Sequence, residues 1–195
     1  MSIYDCLTPF ELQPIERRQG PAYIDKMCHA LPDAPVVDRV QYILAHCRKK
    51  RVLNLGSASG DLHKRICEAA TSVIGVDKNH PADILLDLDE APQPSGTFDL
   101  VVAGEILEHL SNPGSCLKAI RTLGCPLLIT VPNALCSNGS HWIKQGYEIV
   151  NRDHVAWYSY HTLKTLVERY NFNVVRFAWY NGQPGTAEGL IMLVN

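Results

Sequence analysis

The chain runs to 195 residues, enough for one well-filled hydrophobic core and short for two domains. Its 46% hydrophobic and 19% charged residues and its net charge of −2 are ordinary for a globular protein, with no basic excess that would call for a nucleic acid or an anionic membrane surface. Seven cysteines, an odd number with no CxxC spacing, argue against a disulfide framework and a zinc knuckle. No apolar run reaches about 18 residues and the N-terminus has no leader-like pattern, so a cytoplasmic protein without a membrane partner is expected.

Residues 1–35 are broken by Pro9, Pro14, Pro21, Pro32 and Pro35, and form either a lid over a site or a packed N-terminal cap. Val36, Val37, Val40, Ile43 and Leu44 recur at helical spacing, which predicts a helix up to Cys47. The basic run Arg48-Lys49-Lys50-Arg51 reads as a solvated helix end meeting a strand. Val52 to Leu55 is a buried strand, Leu62 to Ala70 a helix, and Ser72–Val76, Ile84–Leu86 and Phe98–Ala103 are strands. Residues 115–123 look helical, and Pro126–Val131 is again a buried strand. Residues 134–150, with Trp142, Gly146 and Tyr147, have weak periodicity and read as an excursion over the sheet edge, near the acceptor site. Tyr160–Tyr170 is a helix, and Asn173–Tyr180 with Leu190–Val194 form an antiparallel hairpin. Apolar strands alternating with helices predict a mostly parallel sheet covered on both faces, an α/β/α sandwich in a single domain over 1–195.

The first strand empties into Gly56-Ser57-Ala58-Ser59-Gly60, and a helix follows. Small residues let the backbone approach a ligand closely, and a helix N-terminus offers unpaired N–H donors. About twenty residues on, Val73-Ile74-Gly75-Val76-Asp77 closes the second strand with a carboxylate, where ribose hydroxyls are accepted in dinucleotide sites. Turn and acid together point to an adenosine-bearing ligand. The Gly-x-Ala-x-Gly spacing is not the Gly-x-Gly-x-x-Gly of nicotinamide folds, which counts against an oxidoreductase.

Here the sequence resembles the class I S-adenosylmethionine (SAM)-dependent methyltransferases, in which a G-x-G-x-G turn is followed by one acid after the second strand and another after the third. Asp77 and Asp87-Leu88 stand at those places. The likeness continues through Phe98-Asp99-Leu100-Val101-Val102 and Gly104-Glu105-Ile106-Leu107-Glu108-His109-Leu110, similar to the family's fourth strand and its E-x-x-E-H-L signature. Leu128 to Asn133 resembles the fifth strand with its Pro-Asn end, and Asp153-His154 with Trp157-Tyr158-Ser159 the late segment before strand six. Two positions depart from the pattern: Asn54 stands where the family carries an acid, and Ala58 replaces the middle glycine.

The resemblance implies a Rossmann-like fold with SAM as the cofactor. It places Gly56, Ser57, Ala58 and Gly60 along the methionine end and Asp77 at the ribose, with Lys78 beside it among the cofactor-binding residues. Asp87 and the Leu88 N–H address the adenine, and Gly104 lies near the reacting sulfur. Glu105, His109 and His154 are the candidate catalytic residues. On a helix, Glu105, Glu108 and His109 share one face and, with His154, offer a divalent-metal set. Metal-dependent O-methyltransferases of small-RNA ends and of ubiquinone biosynthesis look similar. The reading adopted is metal-free, these groups orienting or deprotonating the acceptor, while a helix-bracing role stays open. His154, with an imidazole that titrates near neutrality, is a candidate general base. Trp142, Trp157 and Tyr158 shape the acceptor site or belong to the core.

Methyl transfer to a hydroxyl of a small molecule or sugar is therefore expected. Metal-assisted O-methylation of an RNA end and a non-catalytic SAM-fold module, the latter suggested by Asn54 and Ala58, are the alternatives. Pro132-Asn133-Ala134 lacks the Asn-Pro-Pro-Tyr of nucleobase amino-methylating enzymes, so DNA base methylation is not expected and a nucleic-acid partner is not favoured over a small molecule. The oligomeric state is not legible.

Overall fold

A computed structural model describes residues 29–57, 60–90 and 96–195. The chain divides into two compact units, Met1–Leu31 and Pro32–Asn195, and the architecture that follows belongs to the second. Up to position 28, the expected N-terminal cap lies outside the described residues, as does Ala58 of the glycine turn.

In chain order the elements are β1 (Val36–Val37), α1 (Arg39–Cys47), β2 (Arg51–Leu55), α2 (Asp61–Ala69), β3 (Ser72–Asp77), β4 (Ile84–Leu85) and β5 (Leu100–Gly104). A single 3-10 turn (Leu107–His109) follows, then α3 (Pro113–Arg121), β6 (Leu127–Pro132), α4 (Ser137–Ile143), α5 (Tyr160–Arg169), β7 (Val174–Tyr180) and β8 (Gly189–Val194). The eight strands form one sheet in the order β1-β7-β8-β6-β5-β2-β3-β4. Only β8 runs against its neighbours, β6 and β7; the other pairs are parallel. The Rossmann-like class is thus as expected, and apart from the first helix and α4, which lies in a stretch read as weakly periodic, the main helices and strands begin and end within about two residues of the sequence reading.

Strand alternation divides the core between the two faces. Leu53, Leu55, Val101, Ala103, Leu127 and Ile129 meet Leu117 and Ile120 of α3 and Leu163 and Val167 of α5. Val52, Leu100, Val102 and Leu128 meet Ile43 and Cys47 of α1 and Ile66 of α2. Each large side chain buried in this way contributes roughly 1.5–3 kcal/mol, the main source of the fold's stability. Cys47, Cys116 and Cys125 are buried and fill the core as small apolar groups, whereas Cys67 is exposed.

One expectation is corrected. Val36–Cys47 is not one helix. The Asp38 carboxylate accepts from the Gln41 N–H at 2.7 Å and caps α1 there. The Pro35 carbonyl accepts from the Trp179 N–H at 2.9 Å, and the two valines are drawn into the sheet beside β7. The excursion over 134–150 rises from the C-terminal end of β6, an interior strand. Its feet are joined where the Ala134 N–H donates to the Tyr158 carbonyl at 2.8 Å, and Asn133 bridges Tyr158. The basic run is the predicted helix end. Arg51 opens β2 and holds Asp99 at 2.7 Å, which keeps the Asp99 carboxyl down at about 2.

Candidate active site

The C-terminal ends of β4, β3, β2 and β5, adjacent in that order, deliver Asp87, Asp77, Gly56 and Glu105 to one cavity of about 410 Å³. That is ample for a small-molecule ligand. Gly56 turns the chain at φ +70°, and the N–H groups of Gly56 and Ser57 both donate to the Val76 carbonyl, at 2.8 and 3.2 Å. The turn is thereby stitched to β3, and those two donors are not available to a phosphate. Asp77 accepts from the Asn79 N–H at 2.9 Å and Asp87 from the Asp89 N–H at 3.0 Å, so local turns aim both carboxylates. Asp83, a rival acid by position, accepts from the Gly75 N–H at 2.6 Å and braces β3 instead.

The cavity's chemistry selects the kind of ligand. Five carboxylates line it (Asp77, Asp87, Asp89, Glu105 and Asp153) against one lysine, Lys78. Such a wall repels a pyrophosphate and suits an adenosine ligand whose remaining part is cationic. SAM, with a sulfonium and an ammonium, fits this donor set; a nicotinamide dinucleotide does not.

Of the residues singled out from the sequence, Gly56, Asp77, Lys78, Asp87, Leu88, Glu105 and His109 come together on this cavity. Ser57 and Gly60 line a neighbouring hollow of about 220 Å³ with His63 and Lys64. Gly104 is not on the wall, and the Leu62 side chain fills the space beside it. Asn54 is buried and its side-chain amide lies 3.0 Å from His63 Nδ1, so the position that lacks the family's acid has a local partner. Trp142 and Trp157 are exposed, whereas Tyr158 is buried with its hydroxyl donating to the Leu107 carbonyl at 3.2 Å, a bracing role.

The helical arrangement that would set Glu105, Glu108 and His109 on one face does not form. Only Leu107–His109 make a 3-10 turn, because the chain leaves β5 through Glu105 at φ +58°, outside the helical region. Glu105 and Glu108 consequently part company. Glu105 Oε1 accepts from Tyr180 OH at 2.8 Å and from Thr130 Oγ1 at 3.0 Å, and pairs with Arg39 Nη1 at 3.4 Å. Sequence reasoning missed these three partners: Thr130 and Tyr180 sit in strands that read as core, and Arg39 in a helix end that reads as surface.

Glu108 turns inward. It is 1% exposed and neither carboxylate oxygen has a hydrogen-bond partner among the described residues. Burial, and then the nearby Glu105 carboxylate, push its acid up to about 8. One ligand atom each from Glu108, His109 and His154 lie within 4.8 Å of one another, and the two imidazoles meet edge-on with centroids 4.6 Å apart. The 153–156 leg is held there by Val155 and Ala156, whose N–H groups both donate to the Glu108 carbonyl. Burial and then the His109 charge keep the His154 imidazole below its ordinary value. An orphaned carboxylate beside two imidazoles is a donor set that fits a divalent cation.

A family model described as a methyltransferase domain matches residues 27–176. Curated relatives named ubiquinone biosynthesis O-methyltransferase are 30% identical over 94 residues in Ralstonia nicotianae and over 99 residues in Paraburkholderia xenovorans. These matches cover 40% and 42% of this chain, and span 40% and 43% of those proteins' own length. Among solved structures, the small RNA methyltransferase HEN1 superposes with a TM-score of 0.65 at 16% identity over 86% of this chain and 27% of its own. The 1,6-didemethyltoxoflavin-N1-methyltransferase of Burkholderia thailandensis, solved with S-adenosylhomocysteine, does so with a TM-score of 0.61 at 18% identity, covering 80% and 75% of the two chains. At such identities these two likenesses establish the fold. Taken with the family match and the cavity's donor set, the chain belongs to the class I SAM-dependent methyltransferases.

Proposed function

We propose that this chain transfers the methyl group of SAM to a hydroxyl of a small-molecule acceptor. The observation that carries the reading is one continuous acidic cavity running from Asp87 and Asp77 to Glu105 and His109, with the Glu108–His109–His154 cluster behind it. The curated relatives are named as O-methyltransferases, which supports oxygen as the acceptor atom.

When bound, SAM supplies a methyl already activated on a sulfonium, so the protein's task is alignment, exclusion of water and handling of one proton. Asp77 accepts the ribose hydroxyls, and Asp87 with the Leu88 N–H addresses the adenine edge. His154, its imidazole kept neutral near pH 7, takes the acceptor's proton as the methyl is transferred. Calorimetric titration with SAM and S-adenosylhomocysteine tests the reading. Micromolar binding is expected, whereas binding of neither would leave a non-catalytic module. Asp77→Ala should weaken SAM by at least ~1 kcal/mol, about fivefold, for the lost ribose hydrogen bonds; an unchanged affinity removes that assignment.

The orphaned Glu108 favours a second mode, in which Glu108, His109 and His154 hold a divalent cation that makes the acceptor hydroxyl more acidic. Manganese titration of the wild type, followed by electron paramagnetic resonance, should then show saturable binding that Glu108→Gln weakens by about tenfold or more. No binding to the wild type leaves His154 acting alone.

A further inference from the structure

We propose that Glu105 reads the charge on the cofactor's sulfur, favouring SAM over the neutral S-adenosylhomocysteine, and that Thr130, Tyr180 and Arg39 are the residues that position it. The inference rests on the cavity being the SAM site, as proposed above.

Four elements meet at this carboxylate. Glu105 follows β5, Thr130 lies in β6, Tyr180 ends β7 and Arg39 begins α1. Their three contacts all fall on Oε1, which fixes the carboxylate's orientation and leaves Oε2 as the oxygen for a ligand in the cavity that Glu105 lines. The backbone at Glu105 lies at φ +58°, a conformation a glutamate adopts only when its surroundings impose it. The Glu105 N–H donates to the Thr130 carbonyl at 2.9 Å, so the same strand holds both backbone and side chain. The Tyr180 phenol is a dependable donor, since burial and the Glu105 carboxylate both oppose its ionisation. Its ring lies against Gly189, where any side chain would run into it. The clamp is thus built from both strands of the C-terminal hairpin.

Strand order places Glu105 relative to the rest of the ligand. Asp77 ends β3, Gly56 follows β2 and Glu105 follows β5, in consecutive lateral positions. At about 4.8 Å per strand, Glu105 stands roughly 10 Å across the sheet edge from Asp77. A ligand whose ribose meets Asp77 therefore extends its sulfur end over Gly56 towards Glu105. The amino-acid ammonium and carboxylate are common to cofactor and product, and the two differ only at the sulfur, in its methyl group and its charge. A fixed carboxylate in a partly desolvated cavity consequently binds the cofactor more tightly than the spent product, which favours product release.

The test is the ratio of dissociation constants, Kd for S-adenosylhomocysteine over Kd for SAM, measured calorimetrically on the full chain, because a merely structural defect weakens both ligands together. Glu105→Gln keeps the shape and removes the charge, and should lower the ratio about fivefold to tenfold. Tyr180→Phe should lower it about threefold, and Thr130→Ser, which keeps the hydroxyl, should leave it within about twofold of wild type. If Glu105→Gln binds both ligands with the wild-type ratio, the charge-reading role is overturned. A ratio lowered by Glu105→Gln and unmoved by Tyr180→Phe overturns the positioning role of Tyr180. Wild-type protein that binds neither ligand defeats the proposed function itself, an outcome distinct from both.

Discussion

Raising the pH from about 4.5 to about 8 should steadily strip stability from the metal-free protein, and Glu108→Gln should remove that loss. The Glu108 carboxyl has an ordinary value of 4.5 and is pushed up to about 8 in the folded chain. Below 4.5 both folded and unfolded states hold the proton, and the contribution of Glu108 is fully present. Between the two values the unfolded chain releases the proton while the folded chain keeps it. Unfolding is therefore favoured by ~1.4 kcal/mol for each pH unit climbed, and above about 8 no more is lost. Urea unfolding in the presence of a chelator, at several pH values, would give the profile. The difference between wild type and Glu108→Gln isolates this group from the other acids, and an identical slope in the two proteins would contradict its burial. If the cluster takes a cation, manganese should restore the wild type near pH 7.5 and leave the variant unmoved.

Gly56→Ala should cost ~1–3 kcal/mol of stability and abolish SAM binding. At φ +70° any side chain is strained, and a Cβ at this place would run into Ile106. The Ile106 side chain lines the cavity, so the movement that relieves the clash pushes it into the ligand's space. The double variant Gly56→Ala/Ile106→Ala separates the two effects. It should regain SAM binding in part while keeping the backbone penalty in thermal unfolding. Equal stability of Gly56→Ala and wild type would remove the special role of this turn.

Much of this was legible beforehand. The Val/Leu/Ile runs at 52–55, 100–103 and 127–131 are long enough and apolar enough to be interior strands, and they are. Gly56 and Asp77 announced the cavity because a turn of small residues and a strand-ending acid have few other uses together. The segment 105–109 misled, since i, i+3 and i+4 spacing assumes a helix that the positive φ of Glu105 forbids. Nor does spacing record that Arg39, Thr130 and Tyr180, drawn from three separate elements, converge on one oxygen. The Asn54–His63 pair was invisible for a related reason: it joins a strand to the first turn of the next helix.

The pairing of Tyr180 with Gly189 across β7 and β8 has a consequence for folding fidelity. Slipping β8 by one residue would set Leu190 or Glu188 opposite Tyr180, and a side chain would stand where the ring now lies. Its hydroxyl would then leave Glu105. A molecule with a misaligned C-terminal hairpin could still bury most of its apolar surface and pass for folded. It would nonetheless be inert towards the cofactor's charge, so correct strand alignment at the end of the chain serves as an inspection step for the site.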